Sequence, residues 1–158
     1  MTPIKRVRPR IGDIVEILTP QGYAYAQFTH KHERYGSLIR VLQGLYLQRP
    51  VDFNELLKLH LSFSTFFPLG ADCSRKIVSI VATEPIPEHT ASFPIFRSFN
   101  RNKSGERVAP WWLWDGEREW KVEELSEEQI RDYPPLGIWN DTLLIERIVE
   151  GWKHEDDS

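Results

Sequence analysis

The amino-acid sequence predicts an α+β fold: a mainly antiparallel twisted sheet or small partly open barrel, with two short helices and a C-terminal amphipathic helix packed on it. Three observations carry this. About seven or eight strand-like runs are separated by turn chemistry rather than by long helices. Two short stretches carry helix-capping patterns. The last apolar run, Leu144, Ile145, Ile148, Val149 and Trp152, recurs at helical spacing, with Glu146 and Glu150 opposite.

Taken in order, Asp13–Leu18 alternates as a strand, Thr19-Pro20-Gln21-Gly22 reads as a turn, and Tyr23–His30 alternates aromatic with small residues, so the three form an opening hairpin. Leu38–Tyr46 is a third strand. Asp52 can cap a helix over Phe53–Leu59, with Glu55 reaching back to it and Val51 and Leu56 as a hydrophobic staple. Leu61–Phe67 and Arg75–Ala82 are strands, and the Gly70–Arg75 stretch between them is turn-like. Glu84-Pro85-Ile86-Pro87 suits neither helix interior nor central strand, because proline has no N–H to donate. Phe93–Phe99, with a proline inside, predicts an edge strand or extended loop, and Asn100–Gly105 a mobile loop. Asp115-Gly116 between Trp111–Trp114 and Arg118–Val122 is a strong hairpin signal. Ser126 with Gln129 forms a second capping box, stapled by Leu125 and Ile130, and Pro134-Pro135 ends that helix. Asn140-Asp141-Thr142 can cap the terminal helix.

A length of 158 residues predicts one domain, set here at residues 12–152, between a flexible basic tail (1–11) and an acidic tail (153–158). Apolar residues at 41% and charged residues at 27% fit a globular chain. The single cysteine, Cys73, excludes an internal disulfide and argues against a secreted, stapled scaffold. Met1–Ile11 lacks the apolar core of a secretory signal, and no apolar run approaches the roughly 20 residues that span a bilayer. A cytoplasmic location without membrane attachment is the expectation. The net charge of −3 argues against a dedicated nucleic-acid-binding domain.

No phosphate loop, nucleophile elbow or zinc-spaced cysteine pair is present in the sequence. His30 and His32 would share one face of a strand as two metal ligands could, but spacing fixes no third ligand, and a strand-end pair bonded to backbone or water is the reading preferred. Cys73 has no neighbouring base in sequence; His60 or His89 could serve only through the fold. Glu117, Glu119, Glu123 and Glu124 near Asp115 read as a solvated hairpin face rather than paired acid–base carboxylates. The sequence thus assigns no catalytic residue, cofactor or metal. Alternation places Trp112 and Trp114 on one strand face and Trp111 and Leu113 on the other; one pair belongs to the core, and the other packs under the terminal helix or forms an exposed aromatic patch.

Four stretches together, Gly12–Ile17, Gly22–Gln27, Trp111–Gly116 and Gly137–Arg147, resemble the immunity protein 26 family of bacterial polymorphic-toxin systems, over about Gly12–Trp152. The resemblance implies a non-enzymatic bacterial antidote that binds a cognate toxin in the cytoplasm. It supplies no catalytic residues. Tyr35, Trp112, Trp114, Asp115, Glu117 and Glu119 are the expected partner-binding residues, because tight interfaces centre on aromatic and charged anchors. Two other readings are a binding module for nucleic acid or carbohydrate, with an exposed row of aromatics beside a basic groove, and a hydrolase built on His30, His32 and Glu33 or on the carboxylates, with a convergent pocket.

Overall fold

The structure, a computed structural model, describes residues 5–157. Five strands, β1 (Asp13–Thr19), β2 (Gly22–His32), β3 (Gly36–Leu42), β4 (Leu61–Phe67) and β5 (Val78–Thr83), form an antiparallel sheet in the order β4-β3-β2-β1-β5. Three more, β6 (Phe96–Arg101), β7 (Arg107–Trp114) and β8 (Glu119–Val122), form a second antiparallel sheet. The expected α+β class holds, as two separate sheets rather than a closed barrel.

Four short helices accompany them: α1 (Phe53–Leu57), α2 (Leu69–Ser74), α3 (Glu127–Asp132) and α4 (Asp141–Val149). Helix α2 falls where the sequence reads as a turn. It is too short to show a period, and it buries Leu69 and Cys73, four residues apart, while Arg75 becomes its cap and delays β5 to Val78. In α1 the cap is half of what was expected. Asp52 accepts from the Asn54 N–H, but Glu55 turns to Lys58 at 2.8 Å, and Val51 stands fully in solvent, so no staple forms. The box before α3 is complete, with Ser126 accepting from the Gln129 N–H and the Gln129 side chain accepting from the Ser126 N–H. Asn140 caps α4.

Strand β3 stops at Leu42; the chain turns, and Tyr46 returns to exchange backbone hydrogen bonds of 2.7 and 2.9 Å with Tyr23. Gly22 permits this close approach: at φ +128° a Cβ there would lie 2.8 Å from the Tyr46 carbonyl oxygen. Asn100–Gly105 is not a loose loop. β6 runs to Arg101, and the Asn102 side chain accepts from the Ser104 and Glu106 N–H groups.

One face of the five-stranded sheet buries Val15, Ile17, Ala26, Phe28, Ile39, Val41, Phe63 and Phe67 under α2, α4 and Trp152. The opposite face packs Ile14, Tyr25 and Leu42 against α1, and Leu38 and Phe66 against Phe96 and Trp114 of the second sheet. The extended segment 134–139 stitches the sheets together: the Arg97 N–H donates to the Pro134 carbonyl (3.0 Å), the Leu136 N–H to the Arg97 carbonyl (2.9 Å), and the Trp139 N–H to the Phe66 carbonyl (3.0 Å).

Within the described residues, neither tail is the loose end expected of it. The Val7 N–H donates to the Ser74 hydroxyl at 2.9 Å, and the Val7 side chain packs against the main core; the first four residues of that tail lie outside the described residues. At the other end His154 is buried in a short 3₁₀ turn, His154–Asp156. Its Nε2 accepts from the Ser64 N–H (2.9 Å) and its Nδ1–H donates to the Arg131 carbonyl (3.0 Å), an arrangement that only the neutral ring satisfies. Burial, the largest effect, holds its pKa below the ordinary value of 6.5, and burial lowers that of His30 as well. A histidine with a depressed folded pKa contributes stability that is complete above the unfolded pKa, near 6.5, and is lost as the pH falls below it. The unfolding free energy should therefore decline from pH 7 to pH 5, each histidine contributing at most about 1.4 kcal/mol per pH unit. In urea titrations at successive pH values, His154→Gln should flatten part of that slope. An unchanged slope in the variant would show that His154 binds protons equally in the native and unfolded states.

Candidate functional site

The six residues singled out from the sequence divide into a joined group and an outlier. β2 carries His32 at its end, the turn that follows carries Tyr35, and the β7–β8 hairpin carries Trp114, Asp115, Glu117 and Glu119. Tyr35 and Trp114, far apart in the chain, meet with ring centroids 5.0 Å apart. Both are half-buried. Glu119 lies opposite Trp114 in the β7–β8 register, and Glu117 and Glu119 are exposed at the hairpin end. Trp112 lies on the same strand face but farther along, beneath the Lys121 ammonium at 5.1 Å from its ring centroid.

The two faces of β7 are thereby distinguished. Trp111 and Leu113 are core, and Trp112 and Trp114 are the partly exposed pair. Trp114 is still well supported from below, with its ring near Phe66, Phe93 and Phe96 at centroid distances of 6.3, 5.4 and 5.7 Å. The rings pack on one another in tilted and edge-to-face pairs rather than standing in an open row.

Asp115 has a role that its charge alone does not suggest. Its Oδ1 accepts from the Glu117 N–H (3.0 Å) and the Arg118 N–H (2.8 Å), and these bonds, that from Arg118 first, hold its carboxyl below the usual aspartate range. The carboxylate is therefore the brace of the hairpin turn more than a free anchor. Gly116 completes the turn at φ +100°, where a Cβ would meet the Phe93 ring at 3.0 Å.

His32 stands where the sequence reading put it, at a strand end with both ring nitrogens bonded to backbone, and the role it takes there is a clamp. Its Nδ1 accepts from the Arg34 N–H (3.1 Å), its Nε2–H donates to the Gly116 carbonyl (3.2 Å), and its ring lies edge-on to Trp114 at 4.8 Å. It clamps the β2 end to the hairpin and so sets Tyr35 against Trp114. His30 is likewise committed, with Nε2–H donating to the Ala91 carbonyl (2.8 Å) and Nδ1 accepting from the Thr29 hydroxyl (2.9 Å). Both nitrogens of both rings have protein partners, which leaves no lone pair for a metal. Among the described residues no group of three or more His, Cys, Asp or Glu could hold one. Phe93, the third wall of the cluster, carries no signal in the sequence beyond an aromatic beside a proline.

Cys73 is buried, and burial pushes its thiol up to about 11, so it is protonated at neutral pH. The largest cavity described, about 860 Å³, is lined by Arg6, Arg8, Lys31 and small or apolar residues, with no histidine or carboxylate. Among the described residues no helix is long and apolar enough to cross a membrane. Comparison with family models, curated proteins and solved structures finds no match to this chain.

Proposed function

We propose that this chain is a bacterial cytoplasmic immunity protein of the immunity protein 26 type, which neutralises a cognate toxin by binding it through the Tyr35–Trp114 surface. The observation that supports this reading is the convergence of two sequence-distant, half-exposed aromatics with the exposed Glu117 and Glu119 at one end of a braced hairpin. An inhibitor that performs no chemistry needs a preorganised surface with aromatic anchors inside a charged rim. Here the anchors are held from beneath by Phe66, Phe93 and Phe96, so little ordering entropy is lost when a partner docks. The acidic rim suits a basic toxin, for which charge complementarity speeds association.

The test is co-expression with the product of the open reading frame just upstream of this gene, scored by viability and by pull-down. Rescue with a stable complex is the expected result. In that complex the double charge reversal Glu117→Arg with Glu119→Arg changes only exposed side chains and should leave folding intact. It should slow association and weaken binding by at least tenfold at low salt. Trp114→Ala, the anchor, should weaken binding by about 2–4 kcal/mol. A toxin that is neither bound nor rescued would defeat the immunity reading, and a bound toxin indifferent to all three substitutions would defeat the assignment of this surface.

A further inference from the structure

A second concave site lies away from the aromatic hairpin. A cleft of about 400 Å³ is walled by Arg40, His60, Ser62, His89, Arg131 and Lys153. Its carboxylates are Asp132, which Arg131 Nε holds at 3.2 Å, and Glu155. Arg40 is the unusual member. It comes from the middle of β3, is only 7% exposed, and makes no ion pair among the described residues. Its one hydrogen bond runs from Nη2 to the Ser92 carbonyl at 2.7 Å, and its buried Nε has no partner. Buried arginines are ordinarily paired, because an uncompensated guanidinium in a low-dielectric site is unfavourable. Burial lowers its pKa to about 10, so it is still a cation at neutral pH.

We propose that this cleft binds a small phosphomonoester through its phosphate group, with Arg40 as the buried counter-charge and Lys153, Arg131, His60 and His89 around the rim. A phosphate monoester brings close to two negative charges and three strong acceptor oxygens, more than a carboxylate offers, and the planar guanidinium fork matches that geometry. The cleft is larger than a bare phosphate requires. Its Ser62, Gln43 and histidine side chains suit hydroxyl groups on the organic part of the ligand.

The experiment is a titration of the full chain, followed by backbone amide NMR at constant ionic strength, with inorganic phosphate in one arm and ribose 5-phosphate in the other. Saturable shifts at Arg40, His60, His89 and Lys153, with ribose 5-phosphate bound at least threefold more tightly, are expected. Lys153→Ala and His89→Ala alter exposed side chains and should each weaken binding by about fivefold while the rest of the spectrum is unchanged. Arg40→Lys keeps a charge but loses the fork, and should weaken it by more than tenfold. The proposal is overturned if neither ligand gives saturable shifts in the cleft up to about 10 mM, if Lys153→Ala and His89→Ala leave the affinity unaltered, or if inorganic phosphate binds as tightly as the ester.

Discussion

Arg97→Met is expected to lower the unfolding free energy by about 4 kcal/mol, the largest loss from any substitution outside the apolar core. Arg97 is only 1% exposed and sits in β6 among backbone carbonyls rather than carboxylates. Its Nε donates to Tyr133 (3.0 Å), Nη1 to Asp157 (2.8 Å), and Nη2 to Ile130 (3.3 Å) and His154 (2.6 Å). One side chain thus ties the second sheet to the end of α3 and to the C-terminal turn. Removing it takes a donor from four carbonyls, of which that of His154 keeps the Asp157 N–H at 3.2 Å; each of the others costs about 1–3 kcal/mol if left dry, and the sum is not additive because the turn can relax towards water. A domain of this size is stable by about 5–15 kcal/mol, so the variant should stay folded with a much reduced urea midpoint. Hydrogen exchange should rise first in the His154–Asp157 turn, which loses its donors. Arg97→Lys reaches fewer carbonyls and should recover only part of the loss. A loss under about 1 kcal/mol for the methionine variant would mean that water already serves those carbonyls in the native state.

The strands, the Asp115-Gly116 hairpin and the Ser126 box are legible in the sequence because each is written in neighbouring residues: alternation, a turn dipeptide, a cap three residues from its partner. Arg97 shows where that legibility ends. A lone arginine in an apolar segment that reads as an edge strand or extended loop gives no sign of burial, and the groups that bury it arrive from 33 to 60 residues away. The tail at His154 and the short helix α2 are hidden for the same reason, since tertiary contacts rather than local pattern fix both. The candidate surface was half legible. Alternation paired Trp112 with Trp114, but which face is wet depends on Phe96 of the neighbouring strand and Phe66 of the other sheet. The His32 clamp depends on a contact to Gly116, 84 residues on, and was open to no local reading.

Phe66→Ala should cost about 3–5 kcal/mol and, unlike most core truncations, should also disturb the candidate surface. Phe66 is fully buried on β4, stacked on Phe96 at 5.1 Å and on Tyr35 at 5.3 Å, so it is the shared floor of the two sheets and of the aromatic anchor. Truncation leaves a cavity bounded by Tyr35, Phe93, Phe96 and Trp114, rings that cannot all close over it without leaving their strands. Phe67→Ala is the control, because Phe67 is equally buried on β4 but faces the opposite core under α2 and α4. Both variants should lose similar stability, yet only Phe66→Ala should shift near-ultraviolet circular dichroism from the Trp114 cluster under native conditions. A cycle of Phe66→Ala with Trp114→Ala should show coupling of about 0.5–1.5 kcal/mol, as expected for aromatic neighbours in one cavity. Additive losses would mean that the second sheet is held by the Arg97 and 134–139 backbone contacts alone and that the anchor does not depend on this floor.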